Sequence, residues 1–187
     1  MINYFDYIAS IYDRLDIHPD PSRLHLLLAL PADGPLLDAA GGTGRVSLSL
    51  RSLVGAVVIS DLSHQMLRQA KKKGFSLTVQ ARTERLPFLD AIFSRVLVVD
   101  ALHHFTDQHA AVAELSRVLK PEGRIVIVEP DVTRFPAKVA SLVERWMFMG
   151  SRFHPAGEIA NMLSGQGLSA FIASRDSFRV WIAADKK

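Results

Sequence analysis

Three stretches of this chain, AVVIS (56–60), VLVVDA (96–101) and RIVIVEP (124–130), are short, apolar and β-branched, with no polar residue at alternate positions. A strand that hides both of its faces belongs in the middle of a sheet covered by helices on both sides. The sequence between them supplies those helices. SHQMLRQAKKK (63–73) and DQHAAVAELSRVL (107–119) carry apolar groups at helical intervals, and Ser63 and Asp107 stand where N-caps belong. PLLDAA (35–40) reads as a further buried strand, GRVSLSLRSL (44–53) as a helix and FSLTVQ (75–80) as a strand, with KPEG (120–123) as a turn. Strand and helix in alternation imply an α/β fold with a parallel sheet and right-handed crossovers.

Both ends of the chain depart from this rhythm. Residues 4–16 (YFDYIASIYDRLD) place large apolar groups at helical spacing, and 20–30 form a helix with Pro21 in its first turn. At the other end, 135–153 and 155–167 read as helices, the second opened by Pro155 and closed by Gly165 or Gly167. LSAFIASR (168–175) and SFRVWIAAD (177–185) leave no room for a helix between them, so they must pair as a hairpin. The expected architecture is therefore a doubly wound, mostly parallel seven-stranded sheet with a C-terminal antiparallel hairpin. The 187 residues, 49% hydrophobic and 22% charged, suit a single domain, 1–187. Within it, 1–30 would form an N-terminal helical lid, 35–130 the binding core and 131–187 the substrate-side helices and closing hairpin.

Composition removes several chemistries. There is no cysteine, so disulfides, thiolate metal ligands and thiol nucleophiles are excluded. The opening MINYFDYIAS lacks a signal peptide's basic and apolar regions, and no apolar run is long enough to span a bilayer. A soluble cytoplasmic protein is the expectation. Net charge is +3, and the only compact basic run, Lys71 to Lys73, lies at the end of a helical pattern, where lysines complement the helix dipole. With no arginine or aromatic series beside it, it reads as a solvated face rather than a nucleic-acid patch.

The stretch LLDAAGGTGR (36–45) follows the first strand and opens the next segment. Gly41, Gly42 and Gly44 allow positive φ and clear away the Cβ atoms that would keep a ligand from the backbone. In open α/β sheets that is where ligands bind, outside the carboxyl ends of the strands. Asp38 could accept hydrogen bonds from a cationic amine or hold the loop itself. Asp61 stands at the tip of the second strand, where an acid chelates two ribose hydroxyls, and Leu62 can lie against a base. Nicotinamide-cofactor folds share both features. They differ in needing a small residue where this chain has Ser47, and a catalytic region for which 187 residues leave no space.

Taken together, DAAGGTGR, ISDLSHQML, RTERLPF, VLVVDALHHF and ELSRVLKPEGRIVIVEP resemble, in order and spacing, the class I S-adenosylmethionine-dependent methyltransferases with their Rossmann-like fold. The resemblance runs from about Pro35 to Pro130. The alanine-bearing glycine motif and the opening FDYIASIYDRLD are similar to the methyltransferases of ubiquinone and menaquinone biosynthesis. The resemblance implies that Asp38, Ala40, Gly41, Gly42 and Gly44 surround the methionine part of S-adenosylmethionine. Asp61 would take the ribose hydroxyls, Leu62 the adenine face, and Arg82 and Thr83 the adenine edge. Asp100 would border the methionine amino group, and Tyr12 would help close the site. Arg82 departs from the family, which has an acid there for adenine's exocyclic amine. A guanidinium only donates, so Glu84 or a backbone carbonyl substitutes, or about 1–2 kcal/mol of binding is lost.

Methyl transfer from a sulfonium needs alignment and exclusion of water more than a nucleophilic triad or a metal. His103 and His104, just after the fourth strand, lie where acceptors dock in that family, and either could take an acceptor's proton or simply cap the strand. Their adjacency, with no third ligand in register, argues against a metal. His109 and His154 read as structural. Trp146 to Met149 either roof the site or pack on the sheet; as a roof they imply an apolar or aromatic small-molecule acceptor. Three other readings remain from the residues: methylation of a different metabolite on oxygen or nitrogen, a cofactor-binding protein with little catalysis, and a nicotinamide-dependent reductase.

Overall fold

In the computed structural model, which describes residues 19–134, 137 and 151–187, neighbouring residues of the central strands enter two different cores. Ile125 and Ile127 pack with Leu37, Val96 and Val98, whereas Val126 and Val128 pack with Leu36, Ile59 and Leu97. Strand side chains alternate between faces, so a run without polar alternates is stable only when both faces are covered.

The strands are β1 (Ala32–Ala39), β2 (Val54–Asp61), β3 (Thr78–Gln80), β4 (Phe93–Val99), β5 (Leu119–Pro130), β6 (Leu168–Arg175) and β7 (Arg179–Lys186). They form one seven-stranded sheet in the order β3-β2-β1-β4-β5-β7-β6. β1 to β5 are parallel, and β7 lies antiparallel between β5 and β6. The doubly wound sheet with its C-terminal hairpin is therefore as expected. Four α-helices are described: α1 (Pro21–Leu27), α2 (His64–Lys72), α3 (Gln108–Val118) and α4 (Ala156–Ser164). α1 and α2 cover one face through Leu24, Leu67 and Ala70. α3 and α4 cover the other through Val112, Leu115, Ile159 and Leu163. Caps fall where the sequence puts them. Asp20 accepts Ser22 N–H, Ser63 accepts Met66 N–H and Asp107 accepts Ala110 N–H, while Pro155 opens α4 and Gly165 closes it.

Three expectations are corrected. GRVSLSLRSL is not an α-helix: turns lead into a 3-10 segment, Ser47–Leu53. Its apolar face is too thin, since Leu50 is buried but Leu48 is exposed. The Ser49 hydroxyl also bonds Val46 O, a local alternative to helix ladders. KPEG does not separate α3 from the fifth strand as a free turn. It is an irregularity inside β5, where Glu122 takes φ 60° and the partners of Phe93 and Arg95 jump from Leu119 to Arg124. The third strand is shorter than FSLTVQ, because Phe75 turns into the core beside Ile59. The helical reading of 4–16, Tyr12 and the run 146–149 lie outside the described residues.

The hairpin completes the core. Trp181 of β7 is fully buried, and its Nε1–H donates to Asp176 Oδ2 at 3.0 Å. Trp181→Ala should lower stability by about 3–5 kcal/mol in urea unfolding, whereas Phe171→Ser on the exposed side of edge strand β6 should cost about 0.5 kcal/mol or less. Equal losses would mean that the hairpin is not a core element.

Candidate active site

The strand order reverses between β1 and β4, and both strands end there. The loop after β1 is built to leave the sheet at once. Ala40 takes φ 55°, in the left-handed region that a side chain disfavours. At Gly41 the requirement is space: a Cβ would lie 2.4 Å from the Asp38 carboxyl carbon. At Gly44, with φ 70°, a Cβ would meet Ile59 at 2.5 Å and Phe75 at 2.6 Å. Two of the glycines thus let the loop sit down on its own supports. Gly42 differs, since its Cβ would come no nearer than 3.8 Å to Met66 Sδ and 3.9 Å to Asp61 Oδ2.

Asp38 is the loop's anchor. Ser47 Oγ donates to its Oδ2 at 2.6 Å, so of the two roles open in the sequence the structure displays the loop-holding one. Burial pushes the Asp38 carboxyl up to about 7, against the Ser47 hydrogen bond and with a further push from Asp61. Asp61 receives Gly42 N–H on Oδ2 at 2.9 Å and Ser63 N–H on Oδ1 at 2.7 Å. Leu62, next along, is 51% exposed. Lys73, which the sequence reading left on a solvated face, donates its Nζ to Thr43 O and Oγ1 at 3.1 and 2.8 Å. It ties the far end of α2 back to the glycine loop.

The adenine-edge candidates are turned elsewhere. Arg82 Nη2 donates to Thr106 Oγ1 at 2.9 Å and its Nε lies 3.8 Å from Glu84. Glu84, the substitute acceptor expected from the sequence, receives Thr106 N–H at 2.9 Å and Asp107 N–H at 3.4 Å. Its carboxylate serves the entrance to α3. Thr83 is buried.

Asp100, just past β4, has φ 49° and is gripped by Arg179 of β7, with Nη2 at 2.7 Å from Oδ2 and Nε at 3.1 Å from Oδ1. Burial raises the Asp100 carboxyl above its usual range although the guanidinium opposes the shift. His103 is 3% exposed, with Nδ1 at 2.5 Å from Glu129 Oε2. His104 Nδ1 lies 3.1 Å from Ser151 Oγ, and burial, reinforced by His103, lowers its pKa to about 3. His109 is exposed on α3, and His154 Nδ1 meets Glu158 Oε2 at 2.5 Å. The sequence reading missed Glu129 and Arg179. Each is a charge inside an apolar run, RIVIVEP and FRVWIAA, and a charge placed there has to find a partner.

These groups fit the parts of S-adenosylmethionine. A carboxylate oriented by two amides at the tip of β2, as Asp61 is, has the chemistry that receives ribose hydroxyls. Leu62, next to it in the chain, offers an exposed apolar surface for a base. Asp38 is held toward its protonated form and Asp100 is paired with Arg179, so neither brings an unshared negative charge to an ammonium or a sulfonium.

Residues 37–127, from within β1 into β5, match the family model described as a methyltransferase domain. The chain carries a methyltransferase domain. It is similar to the ubiquinone/menaquinone biosynthesis C-methyltransferase UbiE of Blochmanniella pennsylvanica, at 34% identity over 71% of this chain and 59% of that protein. UbiE of Acidiphilium cryptum is 35% identical over 78% of this chain and 64% of its own. The chain thus spans less than two thirds of the length of these relatives. Among solved structures, a SAM-dependent methyltransferase of Thermotoga maritima described as a "possible histamine N-methyltransferase" superposes with a TM-score of 0.83, at 20% identity over 98% of each chain. At that identity the likeness establishes the fold. The methyltransferase domain thus coincides with the glycine loop, Asp61, Asp100 and the two histidines, and the hairpin that brings Arg179 lies beyond it.

The Asp38 carboxyl gives the domain a pH signature. The group has its ordinary value of 3.8 when unfolded and about 7 when folded, so the native state holds a proton that the unfolded chain releases between these values. Its contribution is fully present below about 4 and is lost as pH rises toward 7. Relative to Asp38→Asn, the wild type should lose roughly 2–4 kcal/mol over that interval in urea unfolding. Parallel curves for the two proteins would contradict the assignment.

Proposed function

We propose that the protein transfers a methyl group from S-adenosylmethionine to a small-molecule acceptor, a quinone-type or other aromatic metabolite. The observation that carries this reading is the Asp61 carboxylate bonded to the Gly42 amide, an acid and a bare-backbone loop joined at the switch point of the sheet. When bound, S-adenosylmethionine supplies a methyl group on an electron-deficient sulfur. Asp61 holds the ribose hydroxyls and Leu62 covers the adenine, while Arg82 stays engaged with Thr106. The loop from Asp38 through Ala40, Gly41, Gly42 and Gly44 encloses the methionine end. Asp100 faces the amino group, with Arg179 keeping its carboxylate in place.

On the acceptor side the two histidines separate. A ring whose conjugate acid titrates at about 3 holds a captured proton poorly, so His104 serves as a neutral wall. His103, backed by a carboxylate, is the residue that takes the acceptor's proton. Among the described residues no helix is long and apolar enough to cross a membrane, and a cytoplasmic location accords with this reading. No role for nucleic acid is proposed, since Lys73 of the basic run is spent on the glycine loop.

A second reading has its own support. Arg82 and Glu84 are both engaged at the start of α3, which leaves adenine's amine without the family's acid. A protein that binds S-adenosylmethionine with little turnover would look like this. Incubation with S-adenosylmethionine and a panel of hydroquinones, phenols, catechols, amines and thiols separates the two by product mass and S-adenosylhomocysteine release. The transferase reading expects a methylated hydroquinone or phenol; binding without any product contradicts it and supports the alternative. Asp61→Ala, which removes hydrogen bonds to a charged group, should raise the S-adenosylmethionine Kd about 10- to 100-fold by calorimetry while circular dichroism stays native. An unchanged Kd would remove Asp61 from the site.

A further inference from the structure

Glu129 closes β5 and is 3% exposed, a carboxylate with almost no access to water. Each of its oxygens has a defined duty. Oε1 receives Ala101 N–H at 2.9 Å and Leu102 N–H at 2.8 Å, and Oε2 lies 2.5 Å from His103 Nδ1. A carboxylate that takes two amide protons on one oxygen is acting as an acceptor, so the short contact on the other is filled by the ring's own Nδ1 proton.

The imidazole is fixed in the other directions too. It stacks on Phe153 with centroids 4.3 Å apart and planes at 15°, and it tilts against His104 at 4.0 Å. Its backbone carbonyl accepts Arg152 N–H at 2.8 Å. Gln108 Nε2 binds both Leu102 O and Arg152 O, at 2.9 and 2.7 Å. The strand-4 exit and residues 151–153 are thereby joined around one ring. His104 contrasts with it: Ser151 Oγ both donates and accepts, so that contact does not select a tautomer.

We propose that Glu129 is the positioning residue of the acceptor site: it holds His103 as the Nδ1–H tautomer, which places the lone pair on Nε2. Resting on the transferase reading above, this names the atom that receives the proton. As the acceptor's oxygen or carbon bonds to the methyl carbon and the carbon–sulfur bond breaks, Nε2 takes the acceptor's hydroxyl proton. The products are methylated acceptor, S-adenosylhomocysteine and an imidazolium facing Glu129. Among the described residues, Asp100, paired with Arg179, is a further charged group close enough to act on this dyad.

The tautomer can be read with neither cofactor nor acceptor present, so its failure and the failure of the transferase reading are separable. In a two-bond 15N–1H spectrum of histidine-labelled protein at neutral pH, the His103 signal, identified by its loss in His103→Gln, should show a protonated Nδ1 and an unprotonated Nε2. Glu129→Gln keeps an oxygen for the Ala101 and Leu102 amides and sets an NH2 against Nδ1, so the variant should show the reversed tautomer with an unchanged S-adenosylmethionine Kd. On an acceptor found by the panel, its kcat should fall about 10²- to 10⁴-fold, the range expected of a misdirected general base. A wild-type spectrum with Nε2 protonated overturns the proposal even if the variant fails to fold. An unchanged tautomer in a folded Glu129→Gln overturns it equally.

Discussion

The Asp61 carboxylate spans two backbone amides from different elements, Gly42 in the loop after β1 and Ser63 at the start of α2, and the crevice is shaped by that span. It shares with the Gly41 amide, which donates to Ser60 O at 3.1 Å, the setting of the distance between the glycine loop and the tip of β2. Lys73 repeats the tie from the other end of α2, through Thr43. The helix is thus pinned to the loop at both ends, and the loop's backbone is presented in one conformation. Preorganisation of this kind lowers the ordering cost of binding.

Charge follows from the same geometry. Asp61 and the buried Asp38 repel each other, which contributes to holding Asp38 at high proton affinity. A proton retained on Asp38 relieves that repulsion. The end of β4 shows the complementary solution, where a guanidinium from β7 reaches across β5 to Asp100. The C-terminal hairpin therefore does more than close the sheet. It delivers a charge to the switch point, and the segment before it clamps the His103 ring through Arg152 and Phe153.

Much of this was legible in the sequence because the signals were strong and local. The β-branched runs fixed the buried strands, Ser63 and Asp107 marked helix starts, and the glycine turn and Asp61 are the two places that the Gly42–Asp61 hydrogen bond joins. The hairpin followed from having no residues for a helix between 175 and 179. The misreadings have physical causes. Residues 47–53 have a helical composition but only one well-buried leucine, so a tighter turn replaced the α-helix. KPEG carried turn residues, yet neighbouring strands held it within β5. Glu129 and Arg179 were passed over because each looked like an ordinary charge beside an apolar run. Only the packed sheet shows that both are buried and that their partners, His103 and Asp100, lie far away in the chain. The question left open at Asp38, amine or loop, turned on Ser47, a residue the sequence offered only as an imperfect helix contact.

A crystal structure with S-adenosylhomocysteine tests the central claim most directly. The account predicts ribose hydroxyls on the Asp61 carboxylate, the homocysteine end against the backbone of Gly42, and the sulfur directed toward the side where His103 stands. A ligand bound elsewhere, or a crevice filled by the protein's own side chains at saturating ligand, would contradict it.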